Sequence, residues 1–311
     1  MNIKGKKILI TGGAGFIGSH MADALISGGA RVVLVDNLST GKKGNIHPRA
    51  KFYHVDMNDR VFQSVFEKER PEYVYMLGFN TNAPRSVADP LFDALSISGS
   101  LHTLEYACAY GTKKVIFSST NFVYGNTKVL PTPESEPLKP ENPYSISKVA
   151  VENYIRFYGK ARGLEYVIFR YGTTYGPRQT AGAMADYIRS IFVGKQSDIF
   201  GDGSKTRDYT YVADIVRANI LALGYRARTR SEPVFNLSAG KQTSLYDLYK
   251  KIALLLARPE IEPCFLPERP GEILHAQLSS AKAKRILGWS PVVGLDQGLA
   301  KTIEYHVTHN T

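Results

Sequence analysis

Short apolar runs at residues 7–11, 32–35, 51–55, 73–77, 114–119 and 165–170 alternate with stretches of helical length and periodicity at about 15–29, 58–69, 91–110 and 143–162. A strand-length run followed by an amphipathic stretch, repeated, is the pattern of βαβ units, and it predicts an α/β fold with a doubly wound parallel sheet. After residue 170 the rhythm loosens. A helix is expected near 182–193, a strand near 209–212, a helix near 213–224, a strand near 233–237 and a helix opening at Ser244. This second part predicts a smaller, interleaved α/β domain. The expected division is 1–170 plus about 208–240 for the first domain, and about 171–207 plus 241–311 for the second. Five prolines between 130 and 143 (Pro131, Pro133, Pro137, Pro140 and Pro143) exclude a helix or central strand there, so a loop over the site is expected. No internal repeat is visible.

The punctuation between the first two runs carries chemistry. Lys7 to Thr11 flows into Gly12-Gly13-Ala14-Gly15-Phe16-Ile17-Gly18, and Asp36 closes the second run. Glycines in this spacing let the backbone turn and approach a pyrophosphate. Gly18 lets the helix pack on its strand, and the helix N-terminus near Gly15 aims free N–H groups at phosphate. That is a Rossmann-type nicotinamide-dinucleotide site. A carboxylate at Asp36 suits the adenine ribose hydroxyls and repels a 2′-phosphate, so NAD is expected and NADP disfavoured.

The chain has 311 residues, 43% of them hydrophobic and 22% charged, an ordinary globular composition. Its net charge of +11 favours an anionic partner. The basic residues are scattered and no nucleic-acid motif accompanies them, so an anionic small substrate is the preferred reading. Two cysteines, Cys108 and Cys264, form neither a disulfide framework nor a metal spacing, and no metal site is expected. The first apolar run is broken by glycines, unlike a signal peptide, and residues 252–257 are too short a run to span a bilayer. A reducing, cytoplasmic setting follows as the expectation.

A helix is predicted to start at Asn142 as cap and Pro143 as first residue, which puts Tyr144 and Lys148 on one face, a turn apart. A phenol is a poor base at neutral pH, and an adjacent ammonium would favour its ionised form. The same Tyr-x-x-x-Lys spacing recurs at Tyr110/Lys114 and Tyr246/Lys250, so spacing alone does not single out Tyr144. Its company does. The run Val115 to Ser119 ends in Thr120, a hydroxyl expected at the carboxyl edge of the sheet, where such folds hold ligands.

On these motifs the chain resembles the extended short-chain dehydrogenase/reductase family, and within it the nucleotide-sugar epimerases of the UDP-glucose 4-epimerase type. The resemblance runs through Val35 to Gly41, Asp56-Met57, Ser86 to Pro90, Phe117 to Gly125, Pro143 to Lys148, Tyr175 to Gln179, Phe200 to Asp214, and Arg269-Pro270-Gly271-Glu272. It implies a catalytic set of Thr120, Tyr144 and Lys148, with Tyr144 as acid/base, Lys148 on the nicotinamide ribose and Thr120 on the sugar oxygen. It implies NAD contacts from Gly12, Gly15, Phe16, Ile17, Gly18, Asp36, Asn37, Ser39, Thr40, Gly41, Asp56, Met57, Leu77, Gly78, Tyr144 and Lys148. The nucleotide sugar, UDP-linked by this resemblance, would meet Thr120, Tyr144, Thr173, Arg178, Phe200, Arg207 and Arg269, the last two clamping the diphosphate.

Dehydratases of this group carry Asp-Glu directly after the threonine, and uronate decarboxylases a Glu two places on. This chain has Asn121 and Phe122, neither of which can protonate a leaving hydroxyl, so epimerisation at C4 through a 4-keto sugar is the expected reaction. A CDP-sugar 2-epimerase, a 4-ketoreductase, a less favoured dehydratase and a non-catalytic NAD-binding sensor are the alternatives. The chain departs from the family pattern at Met76-Leu77-Gly78-Phe79-Asn80, which puts bulk near the cofactor, and at Ser96, Gly172, Thr173 and Ala183. Thr173 with Arg178 could read a uronate carboxylate. A homodimer is expected through the helices near 91–110 and 143–162, aided by the stripe Ile146, Val149, Val151, Tyr154 and Phe157.

Overall fold

The computed structural model describes residues 2–81, 83–226, 232–269 and 272–309. The chain divides into two compact units. The first comprises Met1–Tyr124, Pro137–Arg170 and Val216–Phe235, and the second Gly125–Glu136, Tyr171–Ile215 and Asn236–Thr311. Residues 125–136, 208–215 and 236–240 therefore sit in the second unit, where the sequence reading had put them with the first.

In the first unit the chain runs β1 (Lys7–Thr11), α1 (Phe16–Ser27), β2 (Arg31–Asp36), β3 (Lys51–His54), α2 (Val61–Glu69), β4 (Tyr73–Met76), α3 (Ala83–Ala88), α4 (Pro90–Ala109), β5 (Lys114–Thr120), α5 (Pro143–Arg162) and β6 (Glu165–Tyr171). The chain then forms β7 (Thr173–Tyr175), α6 (Ala183–Phe192), β8 (Asp198–Phe200) and β9 (Thr206–Tyr211), before α7 (Val212–Gly224) and β10 (Val234–Leu237). It closes with β11 (Gln242–Ser244), α8 (Leu245–Leu255), β12 (Cys264–Leu266), α9 (Ala281–Leu287) and α10 (Leu295–His309).

The main sheet has seven strands in the order β10-β6-β5-β4-β1-β2-β3, and the pairs from β3 through β2, β1 and β4 to β5 are parallel. Strand order reverses beside β1, so the loop after β1 opens at the switch point where doubly wound sheets bind ligands. One face of the sheet is packed by Leu9, Val33, Val74, Val115 and Phe117 against Phe62 and Phe66 of α2, Leu104 of α4 and Val151 and Ile155 of α5. In the second unit β11-β9-β7 form a three-stranded sheet and β12-β8 a pair.

The first-half strands and long helices fall where the apolar pattern puts them. The three-residue strands β7, β8, β11 and β12 and the helices α3, α9 and α10 have no counterpart in that reading. The proline-rich stretch is not a free cover. Thr132 donates its N–H to Gln277 O (2.8 Å) and accepts from Ser279 N (2.8 Å) and Asn236 Nδ2 (2.9 Å), which stitches it into the second unit. Val151 is fully buried in the core, so it leaves the proposed α5 stripe; Ile146, Tyr154 and Phe157 stay exposed. Among the described residues no helix is long and apolar enough to cross a membrane.

Candidate active site

The glycine loop is built on close approaches. Gly12 turns with φ +68°, and a Cβ there would meet Gly78 at 2.8 Å. A Cβ on Gly18 would fall 2.2 Å from Gly12 O, so the first turn of α1 rests directly on the loop. Gly13, expected to make the turn, instead has a negative φ and packs on Leu34, where a Cβ would meet side-chain atoms at 2.8 Å. A Cβ on Gly15 would meet Gly12 O at 3.2 Å, and Gly15 caps α1 without a side-chain bond. The first turn of α1, with Phe16 and Ile17, carries no acid, so its N–H groups suit an anion.

Asp36 is buried, and its carboxylate accepts from Ala14 N (2.9 Å) and Leu38 N (2.7 Å). It thereby ties the glycine loop to the turn after β2. A Cβ on Gly41 would meet its oxygens at 2.8 and 2.9 Å. In that turn Ser39 and Thr40 are exposed, and Asn37 donates to Asp56 (2.6 Å) while accepting from Ser39 N (3.0 Å). Burial works against the charge on Asp56, but hydrogen bonds from Asn58 and Asn37 outweigh it and hold the carboxyl below its usual value. Met57 packs between Gly78 and Gly99, either of which would collide with it if it carried a Cβ. Gly78 N, following Leu77, donates to Thr11 Oγ1 (3.2 Å). A cradle closed to side chains at Gly12, Gly18 and Gly78, with an acid fixed at its rim, fits a dinucleotide.

At the carboxyl end of β5, Thr120 Oγ1 accepts from Phe122 N (3.2 Å) and lies 3.3 Å from Asn121 Oδ1. Helix α5 starts where its cap predicts: Asn142 Oδ1 accepts from Ser145 N (2.9 Å), and Ser145 Oγ accepts from Asn142 N (3.3 Å). Tyr144, in the first turn, has the rings of Phe79 and Phe122 edge-on at 6.1 and 6.3 Å. Burial pushes its phenol up to about 12; a hydrogen bond with Thr120 opposes the rise and Asp93 adds to it. The residue as a whole keeps some exposure, so the crowding is at its phenol end.

Lys148 is buried. Its ammonium donates to Ser118 O (2.6 Å) and lies 3.8 Å from the centre of the Phe79 ring and 4.8 Å from that of Phe117. Burial brings it down to about 7, against the opposing pull of Glu152 and Asp93. The adjacent ammonium expected to ionise Tyr144 is thus 5.8 Å from the Tyr144 ring centre and bonded elsewhere, and the phenol is raised where a fall was expected. Desolvation of the phenol dominates. The other two Tyr-x-x-x-Lys pairs do different work. Lys114 starts β5 and donates to the carbonyls of Ala222 and Leu223 (both 3.2 Å), while Lys250 pairs with Glu262 (2.7 Å).

Sequence reasoning missed the polar layer behind this set. Ser119 Oγ donates to Glu152 Oε1 (2.6 Å), Arg170 grips both oxygens of Glu152 (3.0 and 2.7 Å), and Arg170 Nη1 donates to Tyr124 (2.8 Å). Glu152 stands one turn beyond Lys148, a spacing that could have flagged it. Buried Asp93 accepts from Asn80 Nδ2 (3.0 Å) and Ser86 Oγ, and Asn80 N donates to Ser96 Oγ (3.1 Å), so the unusual Ser96 ties down the segment after Phe79.

The second unit holds the remaining expected residues. Arg207, on β9, donates to the carbonyls of Thr206 (2.9 Å) and Leu274 (3.5 Å), and burial lowers its pKa. The Arg269 guanidinium lies 3.3 Å from the centre of the Phe200 ring; the Pro270 and Gly271 that follow lie outside the described residues. Thr173 opens β7 opposite Tyr209, and Arg178 sits in the turn after it with φ +68°.

A parallel seven-stranded sheet with this cradle at its switch point, and a Thr, Tyr and Lys on the strand and helix beyond, defines a dinucleotide-dependent enzyme of the dehydrogenase type. Residues 8–238 match the model of the NAD dependent epimerase/dehydratase family, and the chain belongs to that family. It is 36% identical to the UDP-glucose 4-epimerase of Mycolicibacterium smegmatis, over 96% of this chain and 98% of that one. Its fold is similar to that of the UDP-glucose 4-epimerase of Thermotoga maritima solved with UDP-glucose, at TM-score 0.93 and 41% identity, covering 98% of this chain and all of that one (100%). It is also similar to the UDP-glucose 4-epimerase of Thermus thermophilus solved with NAD, at TM-score 0.90 and 33% identity, covering 96% and 98%.

Proposed function

We propose that the protein inverts C4 of a UDP-hexose, with NAD as its resident cofactor. The observation that carries this reading is the trio Thr120, Tyr144 and Lys148 beside the glycine cradle, followed by Asn121 and Phe122 where elimination would need acids. The glycine loop, Asp36 and Lys148 would hold NAD, which would supply the hydride acceptor. Tyr144 in its ionised form takes the proton of the C4 hydroxyl and returns it, and Thr120 steadies the same oxygen as it becomes a carbonyl. Asn121 and Phe122 cannot donate a proton to a neighbouring hydroxyl, so the 4-keto sugar is reduced again without loss of water.

The substrate's diphosphate is assigned to Arg207 and Arg269, whose planar forks suit phosphate oxygens, with Phe200 toward the base and Thr173 and Arg178 toward the sugar. Two copies are inferred to pair through the exposed apolar side chains of α4 and α5.

Incubation with UDP-glucose, UDP-galactose, their N-acetylated forms, UDP-glucuronate and CDP-sugars, followed by chromatographic separation, tests the reading. Interconversion of a UDP-hexose pair without net use of NADH is expected. Stoichiometric consumption of NADH, or turnover of CDP-sugars alone, overturns it.

A further inference from the structure

The seat of Lys148 is built from one carbonyl and two aromatic rings. Its ammonium is bracketed by a carbonyl on one side, Ser118 O at 2.6 Å, and by an aromatic ring on the other, Phe79 at 3.8 Å. The Phe117 ring, at 4.8 Å, completes an apolar wall and stands edge-on to Phe79, their centres 6.4 Å apart. Phe79 also meets Tyr144 edge-on at 6.1 Å, so this one ring touches both members of the Tyr–Lys pair. It comes from the segment after β4, one of the places where the sequence departs from the family pattern. The other titratable groups facing Lys148 are Tyr144 and Glu152 on its own helix and Asp93 on α4, while β5 offers the Ser118 carbonyl. Glu152 is itself held by Arg170 and Ser119. A buried ammonium with one hydrogen bond and its nearest acids otherwise engaged depends on whatever else favours its charge, and a π face at this distance does so.

We propose that Phe79 is a positioning residue for the reaction: its ring seats the charged Lys148 ammonium against Ser118 and away from the Tyr144 ring. Lys148 then stays protonated where burial alone would discharge it. A cofactor ribose that needs this ammonium must draw it from the ring. The residue at position 79 therefore sets both the pH at which Lys148 loses its proton and the pH range over which NAD binds. This rests on the assignment of Lys148 to the cofactor.

The test compares wild type with Phe79→Leu, which keeps apolar bulk and removes the π face, and Phe79→Tyr, which keeps the ring. Lys148 is followed by NMR in protein carrying ¹³C-labelled lysine and identified by its loss in Lys148→Met. In Phe79→Leu its titration midpoint should drop by about one pH unit, the worth of a desolvated cation–π contact. In Phe79→Tyr it should stay near the wild-type value. The alkaline limb of NAD affinity, measured by calorimetry on the same proteins, should move with it. An unchanged midpoint in Phe79→Leu, or equal shifts in the Leu and Tyr variants, overturns the proposal. Should Phe79→Leu fail to fold, Phe79→Met makes the same comparison. If NAD affinity is indifferent to Lys148→Met, the cofactor assignment fails; the NMR midpoint still judges the role of Phe79.

Discussion

At the scale of single residues, the environment of Tyr144 decides its chemistry. The phenol is raised by burial, and the Thr120 hydroxyl opposes that rise, so proton transfer depends on that hydroxyl. Tyr144→Phe should keep the fold and lower turnover by roughly 10²–10⁴-fold, the usual worth of a positioned acid/base, as read in a coupled epimerisation assay. Tyr110→Phe and Tyr246→Phe should leave turnover near wild type, because Lys114 and Lys250 serve carbonyls and Glu262. Arg207 gives a second residue-level outcome. Its burial and its bonds to carbonyls leave a cation suited to an anion, and Arg207→Ala should weaken UDP binding by about 1.5–3 kcal/mol in calorimetry, the range for a charged hydrogen bond. Arg269→Ala should cost a similar amount, with the stacked Phe200 left behind.

At the scale of elements, α5 carries Tyr144 and Lys148, and its start is set by the reciprocal Asn142–Ser145 cap. Asn142→Ala should lower stability by about 1 kcal/mol in urea unfolding. It should also reduce turnover more than NAD affinity, since Tyr144 lies in the turn the cap fixes. The start of this helix was legible in the sequence because cap and proline are local signals. The glycine loop was legible for the same reason, although the turning residue is Gly12 and Gly13 packs on Leu34. The seat of Lys148 was not legible, since it depends on Phe79 and Ser118, distant in sequence. The strands β7, β8, β11 and β12 of the second unit escaped because three residues are too few to show alternation. The Glu152–Arg170 layer escaped because two separate elements supply it.

At the scale of the molecule, two properties follow. Leu95 of α4 and Ile146 and Phe157 of α5 are 56%, 53% and 58% exposed, so the first unit presents apolar side chains on the helix pair inferred to meet a second copy. Light scattering should find a dimer for wild type and a monomer for Ile146→Glu/Phe157→Glu. A wild-type monomer at assay concentration would contradict the pairing.

The second property is the acid response of the fold, in which Asp208 runs against the usual carboxylate. It is almost wholly buried at the root of β9, and burial pushes it up to about 6 despite hydrogen bonds from Ser238 and from the backbone of Leu278, Lys241 and Gly240. An unfolded aspartate titrates near ~3.9. Between about pH 4 and 6 the native carboxyl holds a proton that the unfolded chain has released, so this group's contribution falls as pH rises through that window and is flat above it. A shift of about two units corresponds to roughly 3 kcal/mol. Asp208→Asn carries no titrating group there, and the difference between wild-type and variant unfolding free energies, measured in urea across pH 4–7, isolates the effect from other carboxylates. That difference should move against the wild type as pH rises to 6 and then level. A difference independent of pH would mean that Asp208 ionises in the native protein as readily as in the unfolded chain, with its backbone hydrogen bonds fully offsetting burial.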